Sequence, residues 1–185
     1  MRIISGTFRG KKLQGPRGKD LRPTSDRLKE TLFNILGPSI PGSVWLDVFA
    51  GTGAMGLEAI SRGAREVVFI DSQEEAIRLL RRNLELCGVT SGYRILKGDV
   101  FASTRALARE RFTAGIAYLD PPYLWGPYRD LLETIFQTGI AGRDTRVIVE
   151  HHRKAVIPEA GAGFRRTRLV RQGDKCLSFY CAEMP

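Results

Sequence analysis

The sequence predicts an α/β protein with a mostly parallel seven-stranded sheet, helices on both faces and an antiparallel hairpin at its end. Between residues 44 and 150, five short apolar runs alternate with four amphipathic segments. Such alternation is typical of a parallel sheet covered on both faces. After residue 163, two stretches of alternating apolar and polar residues flank a turn that contains glycine. These stretches predict two antiparallel strands that close one edge of the sheet.

The first 23 residues predict a small basic arm or hairpin that is not a core element, because glycine, proline and basic residues dominate them. A helix is expected next, since Thr24 or Ser25 is a suitable N-cap and Gly37-Pro38 ends an apolar helical stripe. The chain is thus divided into an arm, residues 1–23, and one α/β domain, residues 24–185. One main domain is usual for 185 residues.

The strands are predicted from apolar runs bounded by turn residues, at residues 44–49, 66–70, 93–96, 116–119, 145–150, 164–171 and 176–182. The helices between the first five strands are predicted from apolar residues three and four apart, at residues 54–61, 74–87, 101–109 and 128–136. In the longest helix, Ile77, Leu80 and Leu84 share one face, which is expected to cover the sheet.

The net charge of +9 is concentrated in two flanking segments. Residues 1–29 carry a net charge of +7 and residues 153–175 carry +5, whereas residues 30–152 carry −2. A nearly neutral body with two basic flanks predicts a polyanionic partner, and nucleic acid is favoured. An inert basic surface is the alternative.

Composition indicates a cytoplasmic protein without a membrane contact or a bound metal. No stretch is long and apolar enough to span a membrane, and the N-terminus has no apolar signal region. Cys87, Cys176 and Cys181 form no C-x-x-C pair, so reduced thiols are expected. His151 and His152 have no third ligand at a suitable spacing, and core or solvated histidines are favoured.

An acidic residue stands at the end of each predicted parallel strand: Asp47, Asp71, Asp99, Asp120 and Glu150. Ligands of open α/β sheets bind beyond the carboxyl ends of the strands. Several carboxylates that converge there predict a site for a ligand rich in hydrogen-bond donors. Glu150 alone is also explained as a strand terminator.

The loop after the first strand has two interpretations. Gly51, Gly53 and Gly56 fit the spacing G-x-G-x-x-G, and Asp71 follows at the distance expected in a dinucleotide site. However, a dinucleotide places its diphosphate at the helix N-terminus, where Asp47 would repel it. S-adenosylmethionine carries an ammonium and a sulfonium and no phosphate, so Asp47 favours this methyl donor.

Each carboxylate suits one part of that cofactor. Asp47 is expected to pair with the ammonium, directly or through water. Asp71 is expected to accept both ribose hydroxyls, and Asp99 to accept from the adenine amino group.

The fourth strand ends in the sequence DPPY, residues 120–123. Consecutive prolines stop a strand and keep the exit extended. We interpret this exit as a rigid clamp for an exocyclic amine, in which Asp120 and the Pro121 carbonyl accept its N–H groups and Tyr123 stacks on the base. These hydrogen bonds would localise the nitrogen lone pair and stabilise the positive charge that develops on nitrogen. A simple proline-rich strand end is the alternative.

With these motifs the chain resembles the class I S-adenosylmethionine-dependent methyltransferases, which have a Rossmann-like fold. More narrowly, it is similar to the bacterial 16S ribosomal RNA guanine-N2 methyltransferase family that modifies the small subunit. The resemblance is carried by the stretches RIISGTFRGKKL, LRPTSDRLKETLFNIL, LDVFAGTGAMGLEAISRGA, DPPY and CLSFY.

The resemblance implies roles for individual residues. The cofactor-binding residues would be Asp47, Phe49, Gly51, Thr52, Gly53, Asp71, Ser72, Asp99 and Val100. The catalytic residues that hold guanine would be Asp120, Pro121, Pro122 and Tyr123. The residues that contact 16S ribosomal RNA would be Arg9, Lys11, Lys12, Arg22 and Arg27. A monomer is expected.

Other functions stay open at this point. The motif DPPY also serves DNA adenine-N6 methyltransferases, although the chain is short for one and has no obvious target-recognition domain. A non-catalytic RNA-binding module would keep the fold, and a nicotinamide oxidoreductase would need a hydride-site acid that is not evident. The sequence also leaves open whether Trp125 and Tyr128 line the base pocket or pack against a helix, and whether Lys175 touches RNA or faces water.

Overall fold

The computed structural model of the chain describes residues 1–16, 26–123 and 125–183. In these residues the strands are β1 (Val44–Val48), β2 (Glu66–Asp71), β3 (Tyr93–Lys97), β4 (Ala114–Leu119), β5 (Ala141–His152), β6 (Ala160–Gly161), β7 (Phe164–Gln172) and β8 (Lys175–Ala182). The helices are α1 (Asp26–Leu36), α2 (Ala54–Ser61), α3 (Glu74–Cys87), α4 (Val100–Arg109) and α5 (Tyr128–Gln137). None of the helices in these ranges has the length and apolar composition that crossing a bilayer requires. The predicted N-caps of α1, Thr24 and Ser25, lie outside the described residues.

The strands form one mixed sheet in the order β3-β2-β1-β4-β5-β8-β7-β6. Strands β1 to β5 are parallel, and β8, β7 and β6 extend the sheet in antiparallel pairs. The predicted fold class is confirmed, with one correction: the described residues form eight strands, not seven. The additional strand β6 has only two residues, which pair with the start of β7, and so short a strand has no alternating pattern from which to predict it.

Each face of the sheet carries its own apolar core. On one face α1, α2 and α3 cover the strands, and Phe33 of α1 stacks on Trp45 of β1 with ring centroids 5.4 Å apart. On the other face α4 and α5 contribute the buried Leu107 and Leu131. Because helices cover both faces of the parallel strands, their carboxyl ends are the place where a ligand can reach the sheet.

The N-terminal segment is a hairpin that belongs to the core, which corrects the expectation of an arm outside it. Arg2 pairs with Lys12, and Ile3 and Leu13 are buried in the α1–α3 face. The carboxylate of Glu58 in α2 accepts two backbone N–H groups of this hairpin, at 2.8 and 3.0 Å. The predicted boundary at residues 23 and 24 falls outside the described residues.

Candidate active site

Three carboxylates lie on one face of the sheet at the carboxyl ends of neighbouring strands. Asp47 in β1 pairs with Phe69 of β2 on one side and with Tyr118 of β4 on the other. Asp71 lies two residues after Phe69, and Asp120 lies two residues after Tyr118. Because residues two apart in a strand share a face, Asp71 and Asp120 stand one layer above Asp47. The strand register therefore brings these acidic residues together, as the sequence suggested.

The turn from β1 into α2 contains a strained residue and an open glycine. Phe49 has a φ of 63°, in the left-handed region where a bulky residue is strained. Gly51 has a φ of 55°, and a Cβ added there would meet only the Phe49 carbonyl oxygen, at 4.0 Å. A glycine with an open side allows a ligand to approach the backbone closely. Phe49 and Gly51 thus have the properties expected of cofactor-binding residues.

The other two glycines of the motif are explained by packing. Gly53 precedes α2 with a φ of 76°, and a Cβ there would overlap Leu80 of α3. A Cβ at Gly56 would overlap the ring of Phe69 in β2. The carbonyl of Thr52 accepts an amide N–H from a side chain of α3 at 2.9 Å. The glycine spacing therefore reflects the close packing of α2 on β2 and α3, and the open side belongs to Gly51.

Asp71 fixes the shape of the glycine loop. One of its carboxylate oxygens accepts the Gly51 N–H at 2.8 Å, and the other accepts the Gln73 N–H at 2.8 Å. Each oxygen keeps a further lone pair, so the oriented carboxylate can still accept from ribose hydroxyls. Ser72, next to it, is exposed at the same strand end.

Asp47 lies beneath this loop and connects β1 to α2. It is 1% exposed, and its Oδ2 accepts the Gly56 N–H at 2.9 Å. Burial raises the pKa of Asp47 to about 8, against the lowering effect of the Gly56 hydrogen bond and with a further rise from Asp71. A cation placed near this carboxyl group would favour its ionised form. The predicted contact with the cofactor ammonium stays a prediction.

Replacing Asp47 with asparagine is expected to flatten the pH dependence of stability. The folded protein holds a proton on Asp47 that the unfolded chain has released above about pH 4. Stability is therefore lost as the pH rises toward the folded-state pKa of about 8, by up to about 1.4 kcal/mol per pH unit. Urea unfolding at several pH values measures the slope, with the exposed Asp144→Asn as a control. An unchanged slope in Asp47→Asn would show that Asp47 is ionised in the native state.

Asp99 and Val100 begin α4. The Asp99 carboxylate accepts the Ala102 N–H at 3.0 Å as an N-cap, and its second oxygen is available to a ligand because the residue is exposed. Val100 is buried. The Gly98 N–H donates to the Asp71 carbonyl at 3.0 Å, which holds the ends of β2 and β3 together. Asp99 is thus exposed at the end of β3, where a ligand can approach its carboxylate. Its expected contact with adenine stays a prediction.

After β4 the chain continues through Asp120, Pro121 and Pro122 without forming a helix or a strand. The Asp120 N–H donates to the Val48 carbonyl at 3.2 Å, and the next two residues, Pro121 and Pro122, cannot donate to the ladder. The Pro122 carbonyl accepts the Trp125 N–H at 3.0 Å. Among the backbone hydrogen bonds of the described residues, none ends on the carbonyl of the buried Pro121, and its predicted contact with an amine stays a prediction.

Tyr123 directly follows the two prolines and lies at the surface. It is 68% exposed, and its ring meets His152 edge-on with centroids 5.2 Å apart. An exposed aromatic ring held at one edge can stack on a nucleobase through its open surface. The geometry is therefore compatible with the predicted role of Tyr123.

Trp125 follows the two prolines in the chain and belongs to an aromatic cluster. It meets Phe49 at 5.3 Å and Tyr128 at 5.1 Å in edge-on contacts, and stacks on Phe101 at 6.3 Å. The sequence left Trp125 and Tyr128 open between lining the base pocket and packing. Tyr128 packs, since it is buried, while the half-buried Trp125 contacts the strained Phe49 of the glycine loop.

A buried polar network lies behind Asp120, and the sequence indicated it only in part. Glu150 is 1% exposed, accepts the Tyr118 hydroxyl and forms an ion pair with Lys175. Burial raises the pKa of Asp120 well above its ordinary value, and the charge of Glu150 raises it further, whereas Lys175 lowers it. The sequence predicts Glu150 as an acidic residue at a strand end, but its partners depend on strand pairing, which no single segment shows.

The adjacent histidines have structural contacts. His151 is buried, with Nε2 at 2.9 Å from the Ser178 hydroxyl and Nδ1 at 3.0 Å from the His152 carbonyl. Burial lowers the pKa of His151. The part of the chain that the structure describes contains no group of three His, Cys, Asp or Glu side chains suited to a metal ion.

The predicted RNA-binding residues differ in their environment. Arg9 and Lys12 are exposed on the N-terminal hairpin, and Arg27 is exposed in the first turn of α1. Lys11 is exposed as well, but its ammonium donates to a carbonyl of α3 at 3.0 Å. Arg22 lies outside the described residues. The hairpin therefore presents Arg9 and Lys12 to solvent without an ion-pair partner among the described residues.

Known proteins resemble the chain over nearly its whole length. The family described as Conserved hypothetical protein 95 matches residues 1–181. The Bacillus subtilis protein YlbH, named as a candidate rRNA methyltransferase, is 35% identical over 181 residues, which cover 97% of this chain and 98% of YlbH. The Escherichia coli K12 protein named Ribosomal RNA small subunit methyltransferase D is 32% identical over 183 residues, which cover 99% of this chain and 90% of that protein.

A solved structure supports the same relationship. The Escherichia coli protein yhhF, described as a candidate methyltransferase, is 32% identical with a TM-score of 0.84. The match covers 99% of this chain and 98% of the solved chain. The similarity thus includes the N-terminal hairpin, the parallel strands and the C-terminal antiparallel strands together.

Proposed function

The chain belongs to the Conserved hypothetical protein 95 family, and we propose that it transfers a methyl group from S-adenosylmethionine to the exocyclic N2 amine of a guanine in 16S ribosomal RNA. Its full-length relatives are named as rRNA methyltransferases, and the chain is an S-adenosylmethionine-dependent methyltransferase of ribosomal RNA. The choice of an amine as acceptor depends on one observation, the position of Asp120 and Pro121 directly after β4, where a carboxylate and a proline carbonyl follow each other beside the end of β1.

The residues at the strand ends suit S-adenosylmethionine. Gly51 has an open side in a strained turn, the oriented Asp71 carboxylate can accept from ribose hydroxyls, and Asp99 is exposed at the end of β3. These acidic residues complement a cationic ligand that carries hydroxyl and amino donors. Bound S-adenosylmethionine supplies an electrophilic methyl group on a sulfonium.

Asp120 and the Pro121 carbonyl would act on the acceptor nitrogen. The lone pair of an exocyclic amine is delocalised into the base, which makes the nitrogen a poor nucleophile. Two acceptors that hold its N–H groups localise this lone pair and stabilise the positive charge that develops on nitrogen. The stiff proline backbone keeps both acceptors in place before the base arrives. Tyr123 would stack on the base, which must be unpaired or flipped out to reach this position.

Labelled methyl transfer tests the proposal. The protein is incubated with S-adenosylmethionine carrying a deuterated methyl group and with unmethylated small-subunit particles, free 16S ribosomal RNA or duplex DNA. Mass spectrometry of the nucleosides is expected to find the label in N2-methylguanosine from an RNA substrate. Label in N6-methyladenine from DNA would instead identify a DNA methyltransferase. Cofactor binding without any transfer would favour a non-catalytic RNA-binding module.

The N-terminal hairpin is proposed to contact RNA phosphates. Reversing one exposed charge, in Arg9→Glu or Lys12→Glu, is expected to weaken RNA binding and to reduce the slope of log K against log salt by about 1 for each lost phosphate contact. Filter binding at several salt concentrations measures this slope. Arg109→Glu, on α4 and the opposite face of the sheet, makes the same charge change and serves as the control. Equal effects of all three substitutions would mean that overall charge, and not the hairpin, sets the affinity.

We also place the protein in the cytoplasm as a monomer. The ribosomal substrate and the unpaired thiols among the described residues support a reducing compartment. Light scattering coupled to size-exclusion chromatography tests the monomer.

A further inference from the structure

Lys175 reaches the candidate active site at the strand ends from the antiparallel part of the sheet. It is the first residue of β8 and pairs with His152 at the end of β5. Its side chain, 30% exposed, forms an ion pair with the Glu150 side chain, which is 2% exposed. Glu150 also accepts the Tyr118 hydroxyl. The Lys175 ammonium is therefore held at a buried carboxylate and is not fully exposed to solvent.

Glu150 is the lateral neighbour of Asp120. In the parallel pair β4–β5, Tyr118 stands beside Ile148, and the following pair continues in the same register. Asp120, directly after the end of β4, and Glu150 in β5 are each two positions further along, so continuation of this register places them on one face at adjacent strand spacing. Two carboxyl groups this close cannot both carry a charge without cost unless a cation compensates.

The groups that face Asp120 come from four elements. Asp47 of β1 and Glu150 of β5 both raise its pKa, in addition to burial, and Lys175 of β8 lowers it. Tyr128 of α5 also lies near, since its own pKa is raised by burial and by the charge of Asp120. Lys175 is the cation that opposes these acidic neighbours within the described residues. A protonated Asp120 would have one acceptor oxygen fewer for the amine.

We propose that Lys175 is a positioning residue for methyl transfer: it holds Glu150 in place and supplies the positive charge that keeps Asp120 ionised when the base enters. The inference rests on the amine-binding role of Asp120 in the proposed function. It assigns to the C-terminal hairpin a function in the active site that goes beyond closing the sheet edge.

Direct titration tests this inference without any substrate. In protein labelled with ¹³C at aspartate and glutamate carboxyl groups, NMR follows Asp120 and Glu150, with Asp120→Asn and Glu150→Gln to assign the signals. Lys175→Met is expected to move the titration of Asp120 to higher pH by about one pH unit, and Glu150→Gln is expected to move it to lower pH by a similar amount. A titration of Asp120 that neither substitution moves would overturn the inference.

The pH dependence of single-turnover methylation gives the catalytic consequence. The low-pH part of the rate profile, where the rate rises with pH, is expected to move to higher pH in Lys175→Met and to lower pH in Glu150→Gln. Lys175→Arg is expected to restore the wild-type profile. Disrupted folding would lower the rate at every pH and could not move the profile in opposite directions. A pH-independent loss in Lys175→Met, with Lys175→Arg equally impaired, would also overturn the inference. Failure of the wild-type protein to label guanine N2 would overturn the proposed substrate, while the carboxyl titrations would still decide the role of Lys175.

Discussion

Replacing Asp120 with alanine is expected to lower the rate of methyl transfer by at least about a hundredfold to a thousandfold. Asp120 lies at the end of β4 just before two prolines, and its backbone N–H donates to the Val48 carbonyl. It is therefore positioned before the base binds, and its negative charge gains most where positive charge develops on nitrogen. Single-turnover kinetics with labelled S-adenosylmethionine measures the loss.

The same substitution is expected to change cofactor affinity by no more than about tenfold, because an interaction made mainly in the transition state affects kcat more than ground-state binding. Isothermal titration calorimetry with S-adenosylmethionine measures the affinity. Asp130→Ala, an exposed carboxylate in the first turn of α5, serves as the control and should retain full activity. An Asp120→Ala protein that turned over normally would remove the clamp from the mechanism.

Replacing Glu58 with alanine is expected to destabilise the protein by about 3–5 kcal/mol. Glu58 is fully buried and forms ion pairs with Lys29 at 3.4 Å and Arg62 at 2.8 Å. It also accepts the N–H groups of Ile4 and Ser5. Burial lowers the pKa of Lys29, while Glu58 raises it. Alanine would remove the acceptor of the buried Lys29 ammonium, of the partly exposed Arg62 guanidinium and of two backbone N–H groups. Each buried polar group that loses its partner is costly.

Urea unfolding measures the loss, and Glu85→Ala provides a matched control. Glu85 also pairs with an arginine on its own helix, Arg82, but both side chains are more than half exposed. Surface pairs of this kind contribute less than about 1 kcal/mol. If Glu58→Ala cost no more than Glu85→Ala, the N-terminal hairpin would be separable from the domain. Deletion of residues 1–20 would then impair RNA binding alone, as the composition of that segment first suggested.

The candidate site at the strand ends was the more predictable part of the molecule. Strand ends are recognisable from apolar runs, and an acidic residue after each run is visible in one segment at a time, so Asp71 and Asp120 could be placed from the sequence. The glycine motif was correctly located, but its explanation was incomplete. Gly53 and Gly56 are required by Leu80 and Phe69 from other elements, which no local pattern shows.

The remaining features depend on contacts between distant segments. Glycine, proline and lysine in residues 1–16 indicated a surface arm, whereas Ile3 is buried and Glu58 binds the hairpin backbone from a helix more than fifty residues away. Strand β5 begins at Ala141, not at residue 145, because the register with β4 shifts before Arg146. The ion pair between Lys175 and Glu150 requires β8 to lie beside β5. The sequence of neither strand predicts that neighbour.

A crystal structure of the protein with S-adenosylmethionine bound tests the central claim most directly, namely that the strand-end carboxylates place a methyl donor beside the Asp120-Pro121 clamp. The expected result is a ribose at Asp71, an adenine near Asp99 and a methyl group directed at the space between Asp120 and Tyr123. A cofactor bound elsewhere, or one whose methyl group is turned away from Asp120, would contradict the proposed mechanism.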